Sequence, residues 1–290
     1  MFHREAGVFK TTYAADMALY PLPIAKRTVA VLAILFVFVL PAVLGEYQLS
    51  ILNLMFIAIV GALGLNILVG YTGQISLGHG AFMSVGAYTA ANLAVKLDLP
   101  FWLTLPAGGL MSAFIGILVG IPSLRIKGLY LAIATLAFSI IIQEIFSRWE
   151  SVTHGFAGMA VEAPVIFGVS FKDEREFYFL CLLFLVIALY LTRNLLRTPT
   201  GRAWIAIRDS EIAAQSMGVN LAIYKSMAFA YSAALMGLAG ALFAHKIAFL
   251  APDIFTILLS IQLLLLVIVG GLGSLHGAVF GAIFVALLPP

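Results

Sequence analysis

The chain has 290 residues, of which 63% are hydrophobic and 10% are charged, whereas about 25% of the residues in an ordinary soluble domain are charged. The mean hydropathy of +1.10 is typical of a protein that crosses a membrane several times. A single cysteine excludes a secreted disulfide scaffold. The near balance of 16 Lys and Arg against 13 Asp and Glu argues against a nucleic-acid partner.

Apolar runs bounded by charged residues, proline or glycine predict an all-α polytopic membrane protein. About nine transmembrane helices are expected, in a range of eight to ten. The predicted spans lie near residues 28–44, 49–70, 80–95, 101–121, 128–147, 177–192, 226–246, 254–271 and 275–288. Residues 1–27 mix charges and lack an apolar core, so we expect an N-terminal tail there and a transmembrane domain over residues 28–290.

Basic residues predict which side of the membrane each loop occupies. Lys26 and Arg27 precede the first span and predict a cytoplasmic N-terminus. Alternation then places residues 193–225 inside, where five basic residues stand against two acidic ones, and residues 148–176 outside. The outer loop carries three basic residues of its own, which mildly oppose this orientation.

The first segment that departs from a lipid-facing composition is residues 70–80, with four glycines and five polar side chains. Non-helical backbone at membrane depth needs protein or a water-filled cavity around it. We therefore expect a broken or re-entrant helix near residues 71–80 that lines a substrate path, with free amides at the helix restart to bind a carboxylate. The candidate path residues are Asn66, Tyr71, Thr72, Gly73, Gln74, Ser76, Gly78 and His79.

Two alternatives remain open for this segment. It could form a short cytoplasmic turn between two spans. His79 could be hydrogen-bonded between packed helices and have no part in binding or proton transfer.

The second informative segment is residues 201–218, in the loop that we place inside. Ser210 as N-cap, Glu211 in the first turn and Gly218 as terminator predict a helix of two turns. Its basic surroundings fit either docking of a soluble subunit or an interfacial helix that contacts anionic lipid headgroups.

Some chemistries find no support in the sequence. There is no G-x-x-x-x-G-K-[ST] phosphate loop, and the five histidines and one cysteine have no metal-ligand spacing. A catalytic cluster of His, Asp and Glu is also missing, so we do not expect an enzyme. Energy for uphill transport would have to come from a partner or from an ion gradient.

Five blocks of the sequence resemble one known family. They are residues 66–90, 124–137, 149–158, 201–218 and 269–281. Together they are similar to the LivM-type permease subunits of ATP-binding cassette importers for branched-chain amino acids, and the resemblance covers about residues 45–290.

The resemblance implies a multi-pass permease subunit of a bacterial-type inner membrane that carries leucine, isoleucine and valine, or similar small solutes, into the cytoplasm. It implies a second related permease, two cytoplasmic ATPase subunits that use ATP and Mg, and an extracytoplasmic solute-binding protein. No cofactor is expected in this chain.

The resemblance also implies that residues 201–218 form a cytoplasmic coupling helix that docks on the ATPase. Ala213, Ala214 and Gly218 match the core of the importer coupling motif, while Glu211 lies one residue before the position of the usual glutamate, which Ile212 holds. The expected coupling residues are Gly201, Arg202, Arg208, Glu211, Ala213, Ala214 and Gly218.

Other functions stay open at this point. Urea, short amides or aromatic acids are possible solutes of the same family. An ion-coupled secondary carrier is a further alternative, but it would need buried acids as coupling sites, and most acids here lie near span ends. Glu144 and Arg148 are expected to pair locally. Small residues at 233, 237 and 241 indicate helix packing, within the chain or against the second permease.

Overall fold

The computed structural model describes residues 27, 34–124, 126, 128–161, 163–166, 169–171 and 173–287. The predicted tail, apart from Arg27, and the beginning of the first predicted span lie outside these residues. The chain divides into two compact units, Met1–Glu46 and Tyr47–Pro290. In the first unit a π-helix, Leu35–Val39, continues into helix α1 (Leu40–Val43).

The second unit is built almost entirely of helices. In chain order they are α2 (Glu46–Asn66), which begins at the unit boundary, α3 (His79–Leu97), α4 (Phe101–Ser123), α5 (Leu129–Arg148), α6 (Glu150–Thr153), α7 (Glu174–Arg197), α8 (Pro199–Asp209), α9 (Glu211–Ser216), α10 (Leu221–Ile247), α11 (Ile257–Gly270) and α12 (Leu275–Leu287).

Two short antiparallel strand pairs accompany the helices. Strand β1 (Met159–Ala160) pairs with β4 (Phe249–Leu250), so that Met159 lies opposite Leu250. Strand β2 (Val165–Ile166) pairs with β3 (Val169–Ser170). The first pair connects the segment after α6 to the segment after α10.

Within the described residues, six helical segments are long and apolar enough to cross a membrane. They are Glu46–Tyr71, Phe101–Ser123, Leu129–Arg148, Glu174–Arg197, Leu221–Ile247 and Pro252–Gly270. The all-α polytopic prediction is confirmed, whereas the count of nine is not established. Helix α12 is described over 13 residues and is a shorter apolar helix than these six. Helix α3 carries His79, Ser84 and Tyr88, which are buried inside the protein.

Burial separates central spans from peripheral ones. Of the most apolar stretch of each span, 72% is buried within the chain in Glu46–Tyr71 and 67% in Leu221–Ile247. The same share is 28% in Leu129–Arg148 and in Glu174–Arg197. Helices α2 and α10 therefore form the centre of the second unit. The outer helices expose apolar side chains of the kind that lipid or a partner can cover.

Helices α3, α4 and α10 pack at unusually short range because small residues line their contacts. A Cβ atom placed on Gly86 would lie 2.2 Å from the carbonyl oxygen of Gly237, and one placed on Gly237 would lie 2.3 Å from the Ser112 hydroxyl. Backbone therefore approaches backbone directly, as in other membrane helix pairs. The small-residue position predicted at Gly237 packs within the chain.

A buried polar cluster joins α2, α7 and α10. Lys246 contacts both carboxylate oxygens of Glu174 and donates to the Ser50 hydroxyl at 2.9 Å. The Asn53 amide donates to the same carboxylate at 2.9 Å. These bonds satisfy a lysine that would otherwise carry an uncompensated charge in a low-dielectric interior.

We expect Gly86→Ala to lower the free energy of unfolding by about 1–3 kcal/mol, because the added methyl group meets backbone that cannot move aside. Thermal unfolding of the detergent-solubilised chain measures the effect. Gly45→Ala is the matched control, since among the described residues no atom beyond its two chain neighbours lies within 4 Å of a Cβ placed there. An unchanged midpoint for Gly86→Ala would contradict the close packing of α3 on α10.

Candidate functional site

The break predicted near residues 71–80 is present. Helix α2 ends at Asn66, a π-helical turn covers Ile67–Tyr71, and regular helix resumes only at His79. Thr72, Gln74, Ser76 and His79 are all buried, with exposures of 3%, 5%, 1% and 0%. The polar side chains of the break are therefore enclosed by protein, as non-helical backbone in a membrane requires.

The backbone amides at the start of α3 are not free. The amide of Leu77 donates to the Thr135 hydroxyl at 2.9 Å, and that of Gly80 donates to the Ser260 hydroxyl at 2.9 Å. The Gly78 amide donates to the Ser76 hydroxyl at 3.3 Å. The expectation of a carboxylate site on these amides is wrong for all three, because hydroxyl groups of the chain already occupy them.

His79 is hydrogen-bonded on both ring nitrogens. Its Nδ1 lies 3.2 Å from the Ser76 hydroxyl and its Nε2 lies 2.7 Å from the Ser232 hydroxyl of α10. The ring of Phe82 packs edge-on against it. This geometry corresponds to the alternative of a histidine held between packed helices.

Asn66, at the end of α2, is hydrogen-bonded to the turn between α11 and α12. Its amide nitrogen donates to the Ser274 carbonyl at 2.8 Å, and its amide oxygen accepts from the Gly273 amide at 2.9 Å. The neighbouring Tyr71 is half-buried, and its hydroxyl contacts the backbone of Leu275. The glycine-rich residues 70–80 and 270–273 thus lie side by side.

Gln74 differs from the other buried polar residues of the break. Its amide nitrogen donates to the Thr72 hydroxyl at 3.3 Å, but its amide oxygen has no hydrogen-bond partner among the described residues. A buried carbonyl oxygen without a donor is costly. Of the predicted path residues, Gly73 is exposed and Gly78 is buried against the Thr135 carbonyl.

Residues 201–218 form two helices. Ser210 has extended backbone between α8 and α9, and its hydroxyl accepts from the Ala213 amide at 3.3 Å. Gly218 follows with a φ of 85°. The predicted Ser210-capped helix of two turns is confirmed, whereas residues 201–209 belong to the separate helix α8.

Burial divides the expected coupling residues into two groups. Ala213, Gly218, Arg202 and Arg208 are exposed. Gly201 and Ala214 are buried, and Ala214 is only 3% exposed. The side chain of Ala214 is therefore directed into this chain and away from solvent.

Glu211 lies between these groups and pairs with a lysine of its own chain. Lys225 Nζ is 2.5 Å from Glu211 Oε1, and only 4% of the lysine side chain is exposed. This ion pair joins α9 to the start of α10. Glu211 was expected from the sequence to be a coupling residue, but its pairing with Lys225 was not predicted.

The most exposed large side chains of the segment were missed at the sequence level. Ile212 is 81% exposed and Met217 is 84% exposed. They flank Ala213 and form an apolar surface, here called the α9 surface, with Ser216 beside it. Isolated apolar residues in a short polar loop carry no periodicity that would assign them to solvent or to the interior.

Among the residues that the structure describes, no three His, Cys, Asp or Glu side chains come close enough to hold a metal ion. The predicted surface pair of Glu144 and Arg148 is present, with Arg148 Nε 2.5 Å from Glu144 Oε1.

The fold and the site define a multi-pass, all-α membrane protein in which a broken span lies beside the helix pair α8–α9, since Arg208 of α8 donates to the carbonyl oxygen of Gly70. Residues 47–289 match the family described as the branched-chain amino acid transport system / permease component, and the chain belongs to that family. The resemblance seen in the sequence is thereby confirmed.

Individual relatives agree with this assignment. The chain is 37% identical over 271 residues to the high-affinity branched-chain amino acid transport system permease protein LivM of Escherichia coli, covering 85% of this chain and 64% of that protein. It is 27% identical over 281 residues to the autoinducer 2 import system permease protein LsrC of Salmonella paratyphi B, covering 89% and 76%.

A third relative is the probable branched-chain amino acid transport permease protein LivH of Methanocaldococcus jannaschii, 27% identical over 242 residues, covering 78% of this chain and 74% of that protein. The chain thus spans about 64% of the length of the LivM proteins that it matches. No solved structure matches the chain.

We expect Lys225→Met to destabilise the protein by about 2 kcal/mol, less than for a fully buried pair because 24% of the Glu211 side chain is exposed. The change removes the lysine partner of a largely enclosed carboxylate. Thermal unfolding in detergent measures the loss.

Arg148→Met is the matched control, because it breaks a pair whose side chains are 80% and 57% exposed and should cost less than about 1 kcal/mol. Adding Glu211→Gln to Lys225→Met should recover part of the loss. Equal losses for the two single variants would show that burial of the Lys225 pair has no effect.

Proposed function

We propose that this chain is a permease subunit of an ATP-binding cassette importer that carries branched-chain amino acids across a bacterial-type inner membrane into the cytoplasm. The observation that carries the proposal is the contact between a broken, buried polar segment and a capped helix pair with an exposed apolar surface, in a chain of this permease family. The first part suits a path and the second suits docking of a partner.

The path runs past the break. A zwitterionic amino acid with an apolar side chain requires a few polar groups beside an apolar wall. Gln74 supplies an unpartnered amide oxygen that can accept a hydrogen bond from the solute ammonium group, and Phe82 and Met83 supply buried apolar surface nearby in sequence. The remaining polar groups of the break hold it in shape.

The docking element is the α9 surface. Ile212 and Met217 are the large exposed anchors, and the small Ala213 between them allows close approach of a partner. An ATPase subunit that binds ATP and Mg would contact this surface. Behind this surface, Ala214 is buried within the chain and Glu211 pairs with Lys225 of α10.

The full importer has further parts. We place the N-terminus and residues 193–225 in the cytoplasm, because the latter carry the excess of basic residues. The loop after α5 then faces outside, where a solute-binding protein delivers the solute. A second related permease completes the path, and two ATPase subunits drive alternating access by pressing on the α9 surface.

An ion-coupled carrier is less well supported. Such a carrier needs an acid in the interior that can exchange a proton or cation. The two partly buried acids with described partners, Glu174 and Glu211, each pair with a lysine of the same chain. A neutralised pair offers a coupling ion little attraction.

The docking proposal is tested with Ala213→Glu and Ala214→Glu. We expect Ala213→Glu to leave the chain stable but to remove the ATPase subunits from the tagged chain during purification, because the new charge lies in the docking contact. Ala214→Glu should instead reduce the amount of folded chain, because it places a carboxylate at a position that is only 3% exposed.

Mass spectrometry of the co-purified proteins and size-exclusion chromatography separate the two effects. If the native chain is recovered without ATPase subunits and transports solute in liposomes under an ion gradient alone, the importer proposal is wrong and the carrier is the better hypothesis.

The path proposal is tested with Gln74→Leu. We expect uptake of labelled leucine by the reconstituted complex to fall about tenfold, as the loss of one hydrogen bond to a charged group predicts. Gln143→Leu is the control, because Gln143 lies in the outer helix α5 and outside the break. Competition by isoleucine, valine, urea, short amides and aromatic acids identifies the solute class. Equal uptake by both variants would remove Gln74 from the path.

A further inference from the structure

Arg208, which the sequence predicts as a coupling residue, contacts the end of the broken span. Arg208 lies in the last turn of α8, and its Nη1 donates to the carbonyl oxygen of Gly70 at 2.6 Å. Gly70 belongs to the π-helical turn with which the span Glu46–Tyr71 ends. The guanidinium group therefore connects α8 directly to the residues that precede the break.

The surrounding backbone leaves a space that fits this group. A Cβ atom placed on Gly273 would lie 2.6 Å from Arg208 Nη1, and one placed on Gly70 would lie 2.4 Å from the Gly273 amide nitrogen. Side chains at either position would close the space. Two glycine-rich segments more than 200 residues apart therefore meet at the position that the guanidinium occupies.

The chemistry of the contact is favourable. The last carbonyl groups of a helix lack intrahelical donors and carry a partial negative charge. In this helix the Ile67 carbonyl accepts from the Thr72 amide and the Leu68 carbonyl accepts from the Gln74 amide. The Gly70 carbonyl receives its donor from Arg208, and a cation is the preferred donor at a helix C-terminus.

The other end of this connection is the α9 surface. Helix α8 is joined to α9 through the single extended residue Ser210. The Ser210 amide donates to the Ala206 carbonyl of α8 and the Ser210 carbonyl accepts from the Ala214 amide of α9, both at 3.0 Å, so one residue completes the hydrogen bonding of both helices. Arg208 thus lies between the proposed docking surface and the break, in contact with the break and joined by backbone to the surface.

We propose that Arg208 is a positioning residue that makes the α8–α9 pair and the end of the span Glu46–Tyr71 move as one body. A displacement of the α9 surface is then transmitted through the guanidinium to residues 72–78. This inference rests on the proposed importer function, and it assigns Arg208 to transmission within the chain and not to binding of the ATPase. A single hydrogen-bonded element shared by both sites is a physical basis for such coupling.

The test compares Arg208→Met with Arg197→Met in the complete reconstituted importer. Arg197 lies exposed in the last turn of α7 and outside the contact with Gly70, so both variants lose the same charge at the same end of the molecule. Labelled leucine uptake and ATP hydrolysis are measured on the same proteoliposomes.

We expect Arg208→Met to retain its ATPase subunits and to hydrolyse ATP, while the leucine transported per ATP falls about tenfold, which is a typical coupling factor between sites. Arg197→Met should keep the native ratio. A native ratio for Arg208→Met would overturn the proposal, and so would loss of its ATPase subunits while the chain stays folded, because that result would place Arg208 in the docking contact.

A pair of cysteines provides a second test, which does not require that the Arg208→Met variant folds. A Cβ atom placed on Gly73 would lie 3.8 Å from the Cβ atom of Arg208, and disulfides form at Cβ separations of about 3.5–4.5 Å. The double variant Gly73→Cys, Arg208→Cys is made with Cys181→Ala, which removes the native cysteine of the chain.

We expect the oxidised double variant to transport more leucine per ATP than the same sample after reduction, because the covalent bond replaces the lost hydrogen bond. The single variant Arg208→Cys should stay uncoupled in both conditions. If oxidation abolishes transport, the two segments must separate during the cycle, and the proposal of one moving body is wrong.

Hydrogen exchange separates failure of this inference from failure of the proposed function. In the isolated, detergent-solubilised chain, Arg208→Met should increase amide exchange over residues 67–78 relative to Arg197→Met, whether or not an ATPase binds. Unchanged exchange would overturn the connection even if the native complex proves to be an importer. Increased exchange would support the connection even if purification of the native chain recovers no ATPase subunits and so contradicts the importer.

Discussion

The structure depends on one requirement, that backbone groups which leave a helix inside a membrane obtain hydrogen bonds from protein. The span Glu46–Tyr71 breaks after Tyr71. Two amides that follow the break donate hydrogen bonds to the hydroxyl groups of Thr135 and Ser260. These hydroxyls belong to α5 and α11. The break therefore determines where two other helices must lie, and a change in its shape requires those helices to exchange hydrogen-bond partners or to move with it.

The same requirement explains why most polar residues near the break support structure. Asn66 uses both ends of its amide on the backbone of the α11–α12 turn, and His79 uses both ring nitrogens on serines. The proposed path for a zwitterionic amino acid would need only a few groups that remain available. Gln74, whose amide oxygen has no partner in the described part of the chain, is such a group. A weakly polar path suits a subunit that must release its solute.

Features governed by neighbouring residues were predictable from the sequence. Six of the apolar spans, the break before His79 and the Ser210 cap follow from residues within one or two turns of each other and are present in the described residues. Partners across long sequence distances were not predictable. Arg208 meets Gly70 138 residues away, and no local pattern distinguishes that arginine from the exposed Arg202 of the same helix. The span count was uncertain because α3 is buried by protein and so retains polar residues.

The hydrogen bonds at the break also have a consequence for biosynthesis. The Gly80 amide pairs with a hydroxyl 180 residues later in the chain, and the Asn66 amide pairs with a carbonyl 208 residues later. A ribosome delivers the early spans to the bilayer long before these partners have been translated. The break can therefore reach its final bonding only after α11 and the turn that follows it have been inserted, so the two ends of the permease must complete their folding together.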